Sequence, residues 1–138
     1  MSFGSDMSGL PFGDKYLWAQ MTSDASITGT LETTLLSLDL PAGIWAVFAT
    51  GSASQSVVQS PTISITDLTT NYATTQWTYI SGGYITNFNL FALVRLSGPK
   101  KISLTYTNQI SSGTATIYAN TVVTVRPTDT QLLAIRIG

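Results

Sequence analysis

The amino-acid sequence predicts an all-β antiparallel sandwich of the jelly-roll type. Three observations carry that prediction. Apolar residues alternate with Ser and Thr at period two, as in Ile102, Leu104 and Tyr106 against Ser103, Thr105 and Thr107. Turn formers such as Pro41, Gly43, Gly98, Pro99 and Gly113 punctuate these runs. No window combines the 3.6-residue apolar spacing of a helix with good helix formers. The 138 residues fit one domain. No repeat of fixed period is visible, which argues against propellers and solenoids.

Taken in order, residues 1–14 read as an extended N-terminal arm and 15–138 as the sandwich domain. Gly4, Gly9, Pro11 and Gly13 break any periodicity in the arm, with Phe3, Leu10 and Phe12 scattered between them. The arm is either a frayed terminus or a segment that orders on a neighbour with those three residues as anchors. Residues 16–21 form a short candidate strand. In 31–40, Leu36, Leu38 and Leu40 share a face. Leu40-Pro41-Ala42-Gly43 is a turn in which Pro presets φ and Gly supplies a positive φ. Both faces of 44–50 are apolar, so this strand is expected to be central and covered on both sides, with Trp45 and Phe48 in the core.

Residues 51–61 read as a polar loop. Residues 62–68 alternate cleanly, with Ile63 and Ile65 on one side. Residues 74–80 form a strand around Trp77 and Tyr79, and 81–83 a turn. In 88–96, Leu90, Ala92, Val94 and Leu96 face one way. Residues 102–107 alternate as described above. Ser111-Ser112-Gly113 turns the chain, and 115–119 and 122–125 continue the sheet. Residues 126–129 turn again. In the last strand, 132–137, Leu133, Ile135 and Ile137 oppose Leu132, Ala134 and Arg136.

The composition narrows the chemistry. Histidine and cysteine are absent, which removes His bases, Cys nucleophiles, Cys/His zinc sites and disulfides. The seven carboxylates fall mostly at turns and strand ends, no calcium-loop motif occurs, and no glycine loop cradles phosphate. The reading is therefore no enzyme and no cofactor. Charged residues are only 9% and the net charge is -1, so no basic footprint for nucleic acid exists. No apolar stretch is long enough for a membrane helix, so no membrane partner is expected. The start shows neither a basic nor an apolar targeting region, which leads us to expect synthesis in a cytosol.

Roughly 28% of the chain is Ser and Thr. A surface this poor in charge suits coverage by sister subunits, since obligate interfaces are more apolar than free surfaces. Two clusters are candidate contact sites. Tyr72, Trp77, Tyr79 and Tyr84, with nearby Asn71, Asn87 and Asn89, form a candidate ligand surface that suits a glycan, although Trp77 and Tyr79 also suit cross-strand packing. Arg95 and Arg136 lie inside apolar strands. Each must reach water, a carboxylate or carbonyl groups, in its own chain or across a subunit interface.

Two segments carry a family resemblance. Leu38-Asp39-Leu40-Pro41-Ala42-Gly43-Ile44-Trp45-Ala46-Val47 resembles the strand opening of jelly-roll modules in tailed-phage virion proteins. Leu132-Leu133-Ala134-Ile135-Arg136-Ile137-Gly138 is similar to their closing strand. These modules resemble the trimeric sandwiches of tumour necrosis factor and complement C1q. The resemblance spans roughly residues 30–138. It implies a homotrimer whose closing strand, with Leu133, Ile135, Arg136 and Ile137, lies near the three-fold axis. It further implies a capsid decoration (cement) protein on the virion surface, assembled in the host cytoplasm. Phe3, Leu10 and Phe12 of the arm would then anchor it to the major capsid protein. The alternative is a receptor-binding tip or head fibre that recognises a host-surface glycan.

Overall fold

The computed structural model describes residues 16–78, 85–119 and 130–138. Ten strands lie in these residues: β1 (Tyr16–Gln20), β2 (Ala25–Thr28), β3 (Thr33–Leu40), β4 (Gly43–Gln55), β5 (Thr62–Thr66), β6 (Asn71–Gln76), β7 (Ile85–Leu96), β8 (Lys100–Thr107), β9 (Thr114–Ile117) and β10 (Gln131–Arg136). Every pairing between them is antiparallel.

The first sheet is organised around β4. Strand β7 runs along one edge of β4 from Gly43↔Leu96 to Ser54↔Ile85. The opposite edge is shared by β10, on residues 45–50, and β9, on residues 53–55. Strand β1 extends the sheet beyond β10, and β2 extends it beyond β9. The second sheet has the order β3-β8-β5-β6. The chain crosses between sheets at β2→β3, β3→β4, β4→β5, β6→β7, β7→β8 and β8→β9. This is a jelly-roll sandwich. Its core lies between the inward faces. Trp45, Val47, Ala49, Leu132 and Ala134 from one sheet meet Ile63, Ile65, Ile102, Leu104 and Tyr106 from the other, all fully buried.

The expected turn at 40–43 is present. Gly43 has φ 146°, where a side chain is disfavoured, and a Cβ there would meet Arg136 Nε at 2.8 Å. Arg136 fastens this turn. Its guanidinium donates to the Ala42 carbonyl at 2.8 Å and lies 5.8 Å from the centre of the Trp45 ring. The Trp45 indole N–H in turn donates to the Pro41 carbonyl at 3.0 Å.

Several expectations are corrected. Residues 51–55 are not loop: they continue β4, and Gly51, Ser52, Ala53 and Gln55 are buried. Small side chains let the strand pass under its neighbours. Gln55 is tolerated inside because its amide is satisfied. Its Nε2 donates to Tyr106 Oη (2.6 Å) and Asn108 Oδ1 (2.7 Å), and its Oε1 accepts from Gln59 Nε2 (2.8 Å). Strand β4 is central, as expected, but among the described residues only one of its faces is packed against another sheet. Phe48 is 37% exposed and is no core residue. Strand β6 ends at Gln76, before Trp77. Strand β2 is a further element, in which Ala25 and Ile27 face inward and Ser26 and Thr28 outward, an alternation only four residues long. The arm at 1–14, the turn at 81–83, and the expected strand and turn at 122–129 lie outside the described residues.

Gly51 offers a direct test of the packing. A Cβ there would stand 2.3 Å from Phe88 Cζ and 2.5 Å from Thr130 Oγ1, both buried, whereas one at Gly98 meets nothing within 4 Å. Gly51→Ala is expected to cost about 1–3 kcal/mol by overpacking. Gly98→Ala should stay within about 0.5 kcal/mol of the parent. Urea unfolding of both variants checks the contrast.

Candidate functional site

The outward face of the β4 sheet is built by strict alternation. Because Trp45, Val47 and Ala49 point into the core, Ala46 and Phe48 point away from it. The registers then align two rows across four strands. One row is Trp18, Leu133, Phe48 and Phe91; the other is Tyr16, Ile135, Ala46 and Leu93. These eight positions hold no charged residue. Phe91 is 56% and Leu93 45% exposed. Phe48 and Phe91 pack against each other with ring centres 5.0 Å apart. Ile137, just past β10, is also exposed. A contiguous apolar sheet face of this kind is a candidate interaction surface.

The next row is polar: Gln20, Gln131, Thr50 and Asn89. Gln131 Oε1 accepts the Trp18 indole N–H at 2.6 Å, which locks the indole against the apolar rows. Beyond it, at the β7 edge, lies a groove of about 270 Å³ lined by Thr75, Trp77, Thr86, Asn87, Phe88 and Asn89. The Trp77 ring stacks on buried Phe88, with centres 6.2 Å apart and planes 20° apart, and meets Tyr106 edge-on. Asn87 and Asn89 are exposed on the outward face of β7.

Tyr72 belongs to a different structure. Its hydroxyl donates to Asp67 Oδ2 at 2.9 Å. Asp67 Oδ1 accepts the amides of Thr69 (2.8 Å) and Thr70 (2.6 Å), and Lys100 Nζ stands 3.2 Å from Oδ2. The Asp67 side chain is only 2% exposed. The backbone donors, Thr70 foremost, hold its carboxyl far below the usual carboxylate range against the opposing effect of burial. Burial, and then the neighbouring Asp67 carboxylate, push the Tyr72 phenol up. This node closes the β5–β6 turn, in which Leu68 takes φ 73°. The other described carboxylates are also engaged: Asp24 accepts from the Ala119 amide, Glu32 from Thr105 Oγ1, and Asp39 pairs with Lys101. Among the described residues no three metal-ligating side chains converge.

The residues singled out from the sequence therefore separate. Leu133 and Ile135 lie on the apolar face, and Ile137 follows them. Arg136 turns the other way, onto carbonyl groups of its own chain. Arg95 is exposed on β7, opposite Ile44. Tyr72 is tied into the Asp67 node and Trp77 lines the groove, so these two do not share a site. Tyr79, Tyr84, Phe3, Leu10 and Phe12 lie outside the described residues. Phe48, Phe91 and Leu93 were missed as contact residues. The signal for Phe48 lies in the double-sided apolar pattern of 44–50, which suggests internal coverage, and that for Phe91 and Leu93 lies in the apolar residues of 88–96 that oppose Leu90, Ala92 and Val94.

No family model and no curated protein matches the chain. Among solved structures, TmCBM61 in complex with beta-1,4-galactotriose is similar with a TM-score of 0.43 and 14% identity, over 88% of this chain and 70% of that one. The infectious bursal disease virus VP2 subviral particle gives 0.44 and 14%, over 88% of this chain and 36% of that one. The Gx strain of the same virus gives 0.48 and 15%, over 88% and 31%. The chain thus spans about a third of the viral chains it resembles. These likenesses identify no function, and the jelly-roll assignment stands on the strand order itself.

The Asp67 node yields a pH prediction. A carboxyl whose folded-state pKa is lowered adds stability above its unfolded pKa, about 3.9, and loses it as pH falls toward the folded value. Asp67→Asn is expected to lower stability at pH 7 by about 1–3 kcal/mol. The gap should narrow steadily below about pH 4. Thermal melts of both proteins at pH 7 and pH 3 measure it.

Proposed function

We propose that this protein is a structural subunit of a tailed-phage virion, a homotrimeric capsid decoration (cement) protein. The observation that carries this reading is the uncharged apolar face of Trp18, Leu133, Phe48, Phe91, Tyr16, Ile135, Ala46 and Leu93. Such a face is covered most simply by copies of the same chain, because 9% charged residues leave little else to pair with. Leu133, Ile135 and Ile137 contribute directly. Arg136 contributes at one remove, by holding the closing strand to the β3–β4 turn. The arm at 1–14 would anchor the trimer to the major capsid protein through Phe3, Leu10 and Phe12. Three linked arms convert weak single contacts into tight attachment. The protein would act on the capsid surface after assembly in the host cytoplasm.

A second reading, a receptor-binding tip or head fibre that recognises a host-surface glycan, is favoured by one observation. The Trp77 groove is bordered by an aromatic residue and by two asparagines of one strand. Copy number per particle separates the readings, since a cement protein is abundant and a tip is rare.

The test is the solution mass. Light scattering of the purified protein is expected to give three chains. Phe91→Glu, on an exposed position, is expected to give a folded monomer with an unchanged circular dichroism spectrum. A parent protein that is monomeric at high concentration would refute the interface. Removal of residues 1–14 is expected to abolish capsid binding while the trimer persists, and retained binding would refute the role of the arm.

A further inference from the structure

We infer that copies of this chain join by a heterologous contact, in which Phe91 of one copy enters a hollow between β1 and β10 of the next. The inference rests on the homotrimer reading and names the two surfaces that would meet. The hollow, of about 230 Å³, is lined by Tyr16, Trp18, Gln131 and Leu133. Their side chains leave the same outward face. Trp18 and Leu133 are register partners, Tyr16 lies two residues from Trp18 and Gln131 two from Leu133, while the alternate residues Leu132 and Ala134 are buried in the core. The bond from the Trp18 indole N–H to Gln131 Oε1 holds the ring before any partner arrives, so little ordering is required on binding. It also satisfies the indole donor, so an apolar side chain can cover the ring without stranding it. The volume lies below the usual ~300–1,000 Å³ of small-molecule sites and suits one side chain.

Phe91 stands on the far side of the same face. The row Trp18, Leu133, Phe48 and Phe91 crosses three strand spacings of about 4.8 Å, which puts Phe91 roughly 14 Å from Trp18. It cannot fill the hollow of its own chain. Its ring leans on Phe48, with centres 5.0 Å apart, and is still 56% exposed. Leu93, also exposed, extends the projection along β7. A closed ring of three copies brings a patch against a different patch, so it needs two complementary surfaces on each chain. A hollow at β1–β10 and a projection at β7 meet that need. The rows between them hold no charged residue, so the contact buries no unpaired ion from them. An aromatic anchor in a preformed hollow is also where interface energy concentrates.

The test is a mixing experiment on full-length variants. Phe91→Glu removes the projection and keeps the hollow, whereas Leu133→Glu, at a half-buried outward position, spoils the hollow and keeps the projection. Each alone is expected to be monomeric by light scattering, with self-association weakened roughly thirtyfold or more. Mixed in equal amounts they are expected to form a heterodimer, since one intact hollow meets one intact projection. A second measurement uses the absence of cysteine from the chain. Phe91→Cys co-refolded with Leu133→Cys is expected to be joined between chains by a short bis-maleimide, and neither variant alone. A trimeric parent whose folded Glu variants do not combine, or a Phe91→Cys variant that cross-links to itself, overturns this inference and leaves the homotrimer standing. A parent that is monomeric at high concentration overturns both.

Discussion

The unbroken register between β4 and β7 is the constraint on which the rest of the molecule depends. From Gly43↔Leu96 to Ser54↔Ile85 the strands pair without a bulge. Because side chains alternate, this register alone decides which residues of both strands enter the core and which leave it. Trp45, Val47, Leu90, Ala92 and Val94 go in; Phe48, Phe91, Leu93, Asn87 and Asn89 go out. A slip of β4 by one residue would place Phe48 in the core and expose Trp45. Strand β10 then takes its own alternation from β4, and β1 from β10. The apolar rows, the polar row and the groove are thus successive bands of one sheet, ordered by position along β7.

The two faces of that sheet differ from the outer face of the second one. Ser37 and Ser103 share a hydrogen bond at 2.9 Å, Ser64 and Thr74 one at 3.0 Å, and Thr105 donates to Glu32 at 2.8 Å. Hydroxyls that bond to one another across strands need no external partner. Part of the Ser and Thr content is engaged locally in this way. The chemistry directed outward is concentrated on the β4 sheet and its β7 edge.

Much of the fold was legible because burial imposes a period. Leu36, Leu38 and Leu40, then Leu90, Ala92 and Val94, then Ile102, Leu104 and Tyr106 are each inward triplets written plainly in the sequence. The missed pieces lack that signature for physical reasons. Residues 51–55 are Gly, Ser, Ala, Ser and Gln, with no β-branched or aromatic side chain to mark a strand. They are held in β4 by β7 on one edge and β9 on the other, and Gln55 by Tyr106, Asn108 and Gln59, all distant or loop residues. The candidate surfaces were only half legible. Trp77 and the Asn residues were visible as types, but Tyr72 carried the same signal and is consumed by Asp67. The apolar character of 44–50 was clear. Whether its own chain covers both faces depends on what packs there, which no local pattern encodes.

The scarcity of charge on the apolar rows has a thermal consequence. Association through a face with no ionic groups is driven by release of water from hydrocarbon, and that drive weakens on cooling. Contacts made there should loosen near the freezing point and respond little to added sodium chloride, while sulfate should tighten them. Particles or oligomers held by this face would therefore be sturdier in a warm cell than in a cold store.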